Sequence, residues 1–161
     1  MKISPWLLTT VLLIVASILD LIIFRQDYSL YTISSTLLLW LLVIGVGVNG
    51  IIGFTGHFFR ADEVAEKIGW PTGNPFQREI AFANLGYGVA GLLCFFFRDG
   101  FWLAVIVVYS VFAFGAGIGH IHETKTAGNV SEYNTGAVVA HDLLMPVILF
   151  VLYWVVIFSR G

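Results

Sequence analysis

Hydrophobic residues occur along this chain in five long, nearly uninterrupted stretches. Each stretch is close to the roughly 20 apolar residues that an α-helix needs to cross the hydrocarbon core of a bilayer. The runs are continuous and lack the apolar–polar alternation of membrane β-strands. The pattern therefore predicts five membrane-spanning helices, at about residues 4–24, 34–59, 79–97, 101–122 and 136–158.

This pattern predicts an all-α fold, a polytopic membrane bundle in which residues 1–161 form a single integral membrane domain. Glycines are frequent in the second, third and fourth predicted helices, and small residues allow membrane helices to approach closely. We expect these three helices and the fifth to form a four-helix core, with the glycine-free first helix at the periphery. The first apolar run is longer than that of a signal peptide, and we expect it to be retained.

Composition narrows the class of protein further. Hydrophobic residues make up 58% of the chain and charged residues 11%, whereas soluble domains carry about 25% charged residues. A net charge of −2 without a Lys/Arg cluster excludes a nucleic-acid binder. The single cysteine, Cys94, excludes both a disulfide framework within the chain and a cysteine-based metal cluster. The remaining partner is the lipid bilayer.

The basic residues are distributed unequally between the two predicted membrane faces. One face holds five of them and the other three, so the positive-inside rule predicts a multi-pass protein of the inner or plasma membrane with a cytoplasmic N-terminus. The first group is Lys2, Arg60, Lys67, Arg78 and Lys125, and the second is Arg25, Arg98 and Arg160.

The longest connection, residues 60–78, has two parts. In the first part, Val64 and Ile68 share a helical face opposite Glu63 and Lys67, which indicates a short interfacial helix. Residues 69–75 contain two prolines and two glycines, so they are predicted to form turns. The segment is either a plain surface connection or a lid over a binding site.

Polar residues of the predicted helices gather at one membrane face. With up-and-down topology, the ends of helices 2 and 4 and the starts of helices 3 and 5 lie together. Ionisable groups within membrane helices usually face the protein interior and carry function. The residues at these four helix ends are His57, Glu79, His120, His122, Glu123, His141 and Asp142.

Histidine and carboxylate ligands without thiolates suit iron, manganese or zinc. We therefore expect a metal site near the cytoplasmic face, with Asp142 orienting one of its histidines. A metal there would activate water or oxygen on a lipophilic substrate, so an enzymatic role remains open. The expected metal ligands are His57, Glu79, His120, Glu123 and His141.

Two alternatives remain open. The polar cluster could be purely structural, in a non-enzymatic membrane subunit that assembles with a partner or with further copies of itself. Alternatively, a haem b could be held for electron transfer by His141 with His57 or His120, since two histidines on different helices can ligate it. Transport is disfavoured, because the polar groups lie at one face and form no path across the membrane.

Several short segments also resemble those of a known group of proteins. They are Phe54-Thr55-Gly56-His57-Phe58-Phe59, Ile68-Gly69-Trp70-Pro71, Asn74-Pro75-Phe76-Gln77-Arg78-Glu79 and Phe82-Ala83-Asn84-Leu85-Gly86. They are similar to a family of small uncharacterised prokaryotic integral membrane proteins. The resemblance covers mainly residues 45–145 and implies that this stretch behaves as one unit, but it assigns no activity and no catalytic residue.

Overall fold

The chain folds into six helices, and no strand occurs among the residues that the computed structural model describes, 5–25 and 27–161. The all-helical fold class is thereby confirmed. The predicted start of the first helix at residue 4 and the charge of Lys2 lie outside the described residues. The helices are α1, Pro5–Leu19 with a π-helical end Asp20–Arg25; α2, made of Leu30–Trp40, the π-helical segment Leu41–Val48, and Asn49–Phe59; α3, Ala61–Ile68; α4, Phe76–Leu93; α5, Gly100–Ala127; and α6, Ala137–Phe158.

Four of these helices, rather than the predicted five, are long and apolar enough to cross a membrane. They are Leu7–Arg25, Leu30–Phe59, Gly100–Ala127 and Ala137–Phe158. The predicted span at 79–97 corresponds to α4, which is helical but contains Gln77, Arg78, Glu79 and Asn84 and is less apolar. One further helix, α3, does not correspond to a predicted span. The sequence predicted it as a short helix in the 60–78 connection.

Helices α2 and α4 contact each other through their backbones, at glycine positions. A Cβ atom at Gly50 would lie 2.6 Å from Cα of Gly88, and one at Gly91 would lie 2.6 Å from the backbone nitrogen of Gly47. No side chain fits into such gaps, so the contact depends on the absence of Cβ atoms. It fixes α4 along the second half of α2.

The two halves of α2 have different neighbours. Leu30–Trp40 packs against α6, whereas Asn49–Phe59 packs against α4 and α3. Helix α6 also packs along α5. Within the described residues, the second half of α2 makes no comparable contact with α6. The two helices therefore separate towards one end of the bundle and leave space between them.

The main hydrophobic cluster lies where α2, α4, α5 and α6 meet. Its fully buried members include Leu38, Leu42, Ile106 and Leu149. Between residues 7 and 25, where burial is described, helix α1 contributes no residue to this cluster, and 17% of its apolar span is buried. Its exposed leucine and isoleucine side chains suit a helix that faces lipid.

Charged groups at the end of the bundle opposite the predicted site are paired with one another. The buried Asp20 accepts hydrogen bonds from Nε of Arg25 (3.1 Å) and from Nε1 of Trp40 (3.0 Å). Asp99 forms an ion pair with Arg160. The contacts of Asp20 satisfy a carboxylate that would otherwise be costly to bury, whereas the pair of Asp99 lies at the surface.

The glycine contact between α2 and α4 leads to a prediction about stability. Gly91→Ala inserts a Cβ against the backbone of Gly47 and should lower the free energy of unfolding by about 1–3 kcal/mol, the usual cost of overpacking. Gly86→Ala, on the same helix but facing open space, should be neutral or stabilising by up to about 1 kcal/mol. Denaturant titration of both purified variants measures the difference, and equal effects would contradict the close backbone contact.

Candidate functional site

A cavity of about 480 Å³ occupies the space between the second half of α2 and helices α4, α5 and α6. Helix α3 borders it at the end where α2 and α6 separate. Along α2 the lining extends from Gly45 to Phe59, which corresponds to a depth of about 20 Å at the rise of an α-helix. The cavity is therefore long, narrow and mostly apolar.

Three of the four histidines line this cavity. His57 comes from the end of α2, His120 from the end of α5 and His141 from the start of α6, where Asp142 lies beside it. Each of these four side chains is half-buried. The fold thus brings three helix ends together as up-and-down topology requires.

A buried amide determines which ring nitrogen of His120 carries a proton. The Nδ2 group of Asn134 donates hydrogen bonds to the carbonyl oxygens of His120 and Asn129 and to the hydroxyl of Thr124. The amide orientation is therefore fixed, and Oδ1 of Asn134 accepts a hydrogen bond from Nδ1 of His120 at 2.7 Å. In the neutral ring, Nε2 is then left as a hydrogen-bond acceptor.

His57 is oriented in a similar way. Its Nδ1 lies 2.5 Å from Oε1 of Gln77, an almost completely buried side chain on the first turn of α4. Burial and this contact hold the ring in one position at the end of α2. Two histidines of the cavity thus have Nδ1 engaged by an amide oxygen, on two different helices.

The remaining predicted site residues lie elsewhere. Glu79 is exposed on α4 and does not line the cavity, and His122 is exposed on α5. Glu123 is outside the cavity lining, and its carboxylate accepts hydrogen bonds from Nε1 of Trp70 (2.9 and 3.0 Å) and from Nδ2 of Asn129 (3.1 Å). Glu123 therefore fastens the 69–75 turn to the end of α5.

The five expected metal ligands do not meet at one point. Among residues 5–25 and 27–161, no three His, Cys, Asp or Glu side chains come together in a way that could hold a metal ion. Exposure of Glu79 and the hydrogen bonds of Glu123 account for this separation. His57, His120 and His141 share the cavity without forming such a cluster.

Aromatic and amide groups from α4 and α5 form one wall of the cavity. The hydroxyl of Tyr87 donates to Oδ1 of Asn84, whose Nδ2 donates to the carbonyl of Ile80. Tyr109 packs edge-to-face on Tyr87, with ring centroids 5.4 Å apart. Tyr109 is only 4% exposed, and its hydroxyl has no hydrogen-bond partner among the described residues. It is a polar group available to a ligand.

Helix α3 and the loop after α5 close the wider end of the cavity. Arg60 and Lys67 both form ion pairs with Glu63, and hydrogen bonds from Arg60 hold the pKa of Glu63 below its ordinary value. The backbone of Tyr133 donates to the carbonyl of Lys67 (2.9 Å), and Asn129 donates to the carbonyl of Ile68 (2.8 Å). The end of α3 is therefore docked onto the loop.

The sequence reasoning missed Gln77 and selected Glu79 instead. A signal was present in α4, where Gln77, Ala81, Asn84 and Gly88 recur every three or four residues and are all buried. This spacing marks one helical face. Glu79 lies off that face, so helical phase distinguishes the residue that contacts His57 from its exposed neighbour.

Comparison with known proteins gives one match. Residues 4–158 match a family described as "Family of unknown function (DUF6790)", and the chain belongs to this family. No curated protein and no solved structure matches the chain. The resemblance to an uncharacterised family is confirmed to this extent.

The docking of the 69–75 turn leads to a second prediction. Trp70→Phe removes the indole N–H that bonds the Glu123 carboxylate. Hydrogen bonds to charged groups contribute about 1.5–3 kcal/mol, so amide hydrogen exchange across α3 should accelerate about tenfold or more. Trp154→Phe, an exposed tryptophan on α6, should leave exchange in α3 unchanged. Equal exchange in both variants would show that this contact does not hold α3 in place.

Proposed function

We propose that this member of the DUF6790 family is an integral membrane protein that binds a lipophilic small molecule in the cavity between α2, α4, α5 and α6. His57, His120, His141 and Asp142 contact the polar group of that molecule. The observation that carries the proposal is the presence of three histidines and a carboxylate in one long, mostly apolar cavity. Ligand sites combine such apolar walls with a few polar groups that fix orientation.

The wall residues support entry of the ligand from the lipid phase. Ile52, Thr55 and Phe59 line the cavity and are also exposed on the outer surface of α2. They lie on the half of α2 that has separated from α6. A molecule dissolved in the bilayer would reach the cavity between these two helices without passing through water.

The polar groups that line the cavity can form hydrogen bonds with the ligand. They are also of the kinds that catalyse proton transfer to and from a bound molecule. His120 presents Nε2 as an acceptor, and Tyr109 presents an unpaired hydroxyl among the described residues. Histidine, carboxylate and tyrosine are side chains that general acid–base catalysis uses. The hypothesis of an enzyme acting on a lipophilic substrate therefore concerns this same cavity.

We further propose that α4 crosses the membrane as a fifth span, in the four-helix core with α2, α5 and α6. Its polar side chains Gln77 and Asn84 are buried against the bundle, and Gly88 and Gly91 contact α2. Lipid would therefore meet mainly its exposed apolar residues, such as Phe82 and Val89. A cytoplasmic N-terminus in the inner or plasma membrane would place α3 and the histidines on the cytoplasmic side.

The other functional hypotheses stay predictions. Iron, manganese or zinc bound by the histidines would be detected by metal analysis of the purified protein, and haem b by a Soret band in its absorption spectrum. A structural polar cluster in a subunit of a larger membrane assembly would show neither. Homo-oligomerisation likewise stays a prediction.

Blocking the cavity tests the proposed binding function. Ala116 lines the cavity on α5, so Ala116→Phe places a phenyl ring inside it. For the wild-type protein in nanodiscs, we expect saturable energy transfer from tryptophan, including Trp70 at the cavity, to 1-pyrenemethanol, a neutral lipophile with one hydroxyl group. The Ala116→Phe variant should lose about tenfold or more in affinity, because the probe and the ring compete for the same volume.

The matched control is Ala104→Phe, which adds the same ring to an exposed position of α5. This variant should bind the probe like the wild type. Thermal unfolding and gel filtration of both variants establish that they are folded. Equal binding by folded Ala116→Phe and Ala104→Phe proteins would overturn the proposed function.

Single-cysteine labelling tests the fifth span. Glu79→Cys places an exposed thiol in the first turn of α4, and Phe97→Cys places one after its last residue, while the native Cys94 is buried. A membrane-impermeant maleimide should label Phe97→Cys in intact cells and Glu79→Cys only after permeabilisation, as the positive-inside rule requires. Labelling of both thiols from one side would contradict a spanning α4, and the reverse pattern would invert the orientation.

A further inference from the structure

We propose that the molecule bound in the cavity is a lipophilic amine whose ammonium group pairs with Asp142. This inference rests on the proposed function, because it names the chemical class of the ligand for the same cavity. It predicts a cationic head and an apolar body, rather than a neutral or an anionic amphiphile.

The first observation is that Asp142 has no permanent positive partner. Its side chain is 17% exposed, and the only ion pair that the described residues make with it is that of His141, whose Nδ1 lies 3.5 Å from Oδ1. Histidine carries no permanent charge near neutral pH. A carboxylate held in an apolar cavity without a cation is costly, and a bound ammonium group removes that cost.

The other partly or fully buried carboxylates have their requirements met within the protein. Asp20 pairs with Arg25 and receives the indole N–H of Trp40, and Glu123 receives hydrogen bonds from Trp70 and Asn129. No described N–H or O–H group donates a hydrogen bond to the Asp142 carboxylate. Asp142 therefore differs from these carboxylates, and it lines the cavity.

Aromatic rings line the same cavity as this carboxylate. Tyr87 and Tyr109 are two of them. The ring of Phe112 packs against Tyr87 with centroids 5.3 Å apart, and all three rings line the cavity. A carboxylate combined with aromatic rings is the arrangement that binds ammonium groups, because the face of each ring attracts a cation.

Close helix packing places Asp142 on the cavity wall. A Cβ atom at Gly117 of α5 would lie 3.2 Å from Cβ of Asp142, so α6 lies directly against α5 at this level. Ala116, the preceding residue of α5, lines the cavity together with Asp142. The carboxylate is therefore beside the cavity volume that the apolar body of a ligand would fill.

The basic residues bordering the cavity do not favour an anion instead. Arg60 and Lys67 share the carboxylate of Glu63, and Lys67 also contacts the ring and hydroxyl of Tyr133. Together with Asp142, these three residues are the charged side chains of the lining, so its formal charge is zero and it does not attract an anion. His120, which also lines the cavity, has Nε2 as an acceptor in its neutral ring, and this matches the N–H donors of an amine.

Three probes with the same pyrene body and different polar groups test this inference. They are 1-pyrenemethylamine, 1-pyrenemethanol and 1-pyrenecarboxylate, which are cationic, neutral and anionic near neutral pH. Binding in the cavity is measured in nanodiscs as the energy-transfer signal that the wild-type protein shows and the Ala116→Phe variant lacks. Of the three probes, the amine should have the highest affinity in this measurement. Asp142→Asn should weaken amine binding by about tenfold or more and weaken binding of the neutral probe much less, because asparagine can still accept a hydrogen bond from a hydroxyl group.

Asp99→Asn is the matched control, because Asp99 pairs with Arg160 at the other end of the bundle. It should bind the amine like the wild type. We expect the Asp142→Asn protein to remain folded, since asparagine has nearly the same shape and the substitution affects only the contact with His141. Thermal unfolding and retained binding of 1-pyrenemethanol verify this.

The outcomes separate the two proposals. If no probe shows binding that Ala116→Phe abolishes, the proposed function fails and this inference fails with it. If 1-pyrenemethanol binds in the cavity but the amine binds no more tightly, or if Asp142→Asn leaves amine affinity unchanged, only the inference is overturned. Preferential binding of the carboxylate would also overturn it.

Discussion

The backbone contact between α2 and α4 is the constraint on which the rest of the structure depends. Glycines on both helices allow an approach that no side chain would permit, so the second half of α2 follows α4 rather than α6. The cavity exists because α2 cannot remain in contact with both neighbours along its whole length. Membrane helices gain little from apolar association with each other, so close packing of small residues decides their arrangement.

Buried amides give this cavity a defined chemistry. Asn134 and Gln77 each engage Nδ1 of a histidine, and Asn134 is itself held by three acceptors. In a low-dielectric interior the fully bonded amide of Asn134 is stable, whereas Nε2 of Gln77 is buried without a hydrogen-bond partner among the described residues. The histidine rings are therefore oriented before any ligand arrives, which reduces the ordering that binding requires.

The carboxylates at the two ends of the bundle have different ion-pair partners. Asp20 and Asp99 pair with arginines at the end opposite the cavity, whereas the ion pair that the described residues make with Asp142 comes from a histidine. The ion pairs with arginine give Asp20 and Asp99 a structural role. A carboxylate whose partner is a histidine fits a role in binding, because an interior charge without a permanent counter-charge costs stability unless a ligand compensates it.

The sequence by itself determined the helical class, the approximate helix limits and the gathering of polar residues at one end. Long apolar runs and up-and-down connectivity suffice for these conclusions, because they depend on local hydropathy and order along the chain. Only the tertiary structure decided that His57, His120, His141 and Asp142 share a cavity while Glu79 is exposed. Such a choice depends on the rotation of each helix about its axis, which backbone contacts between distant glycines fix.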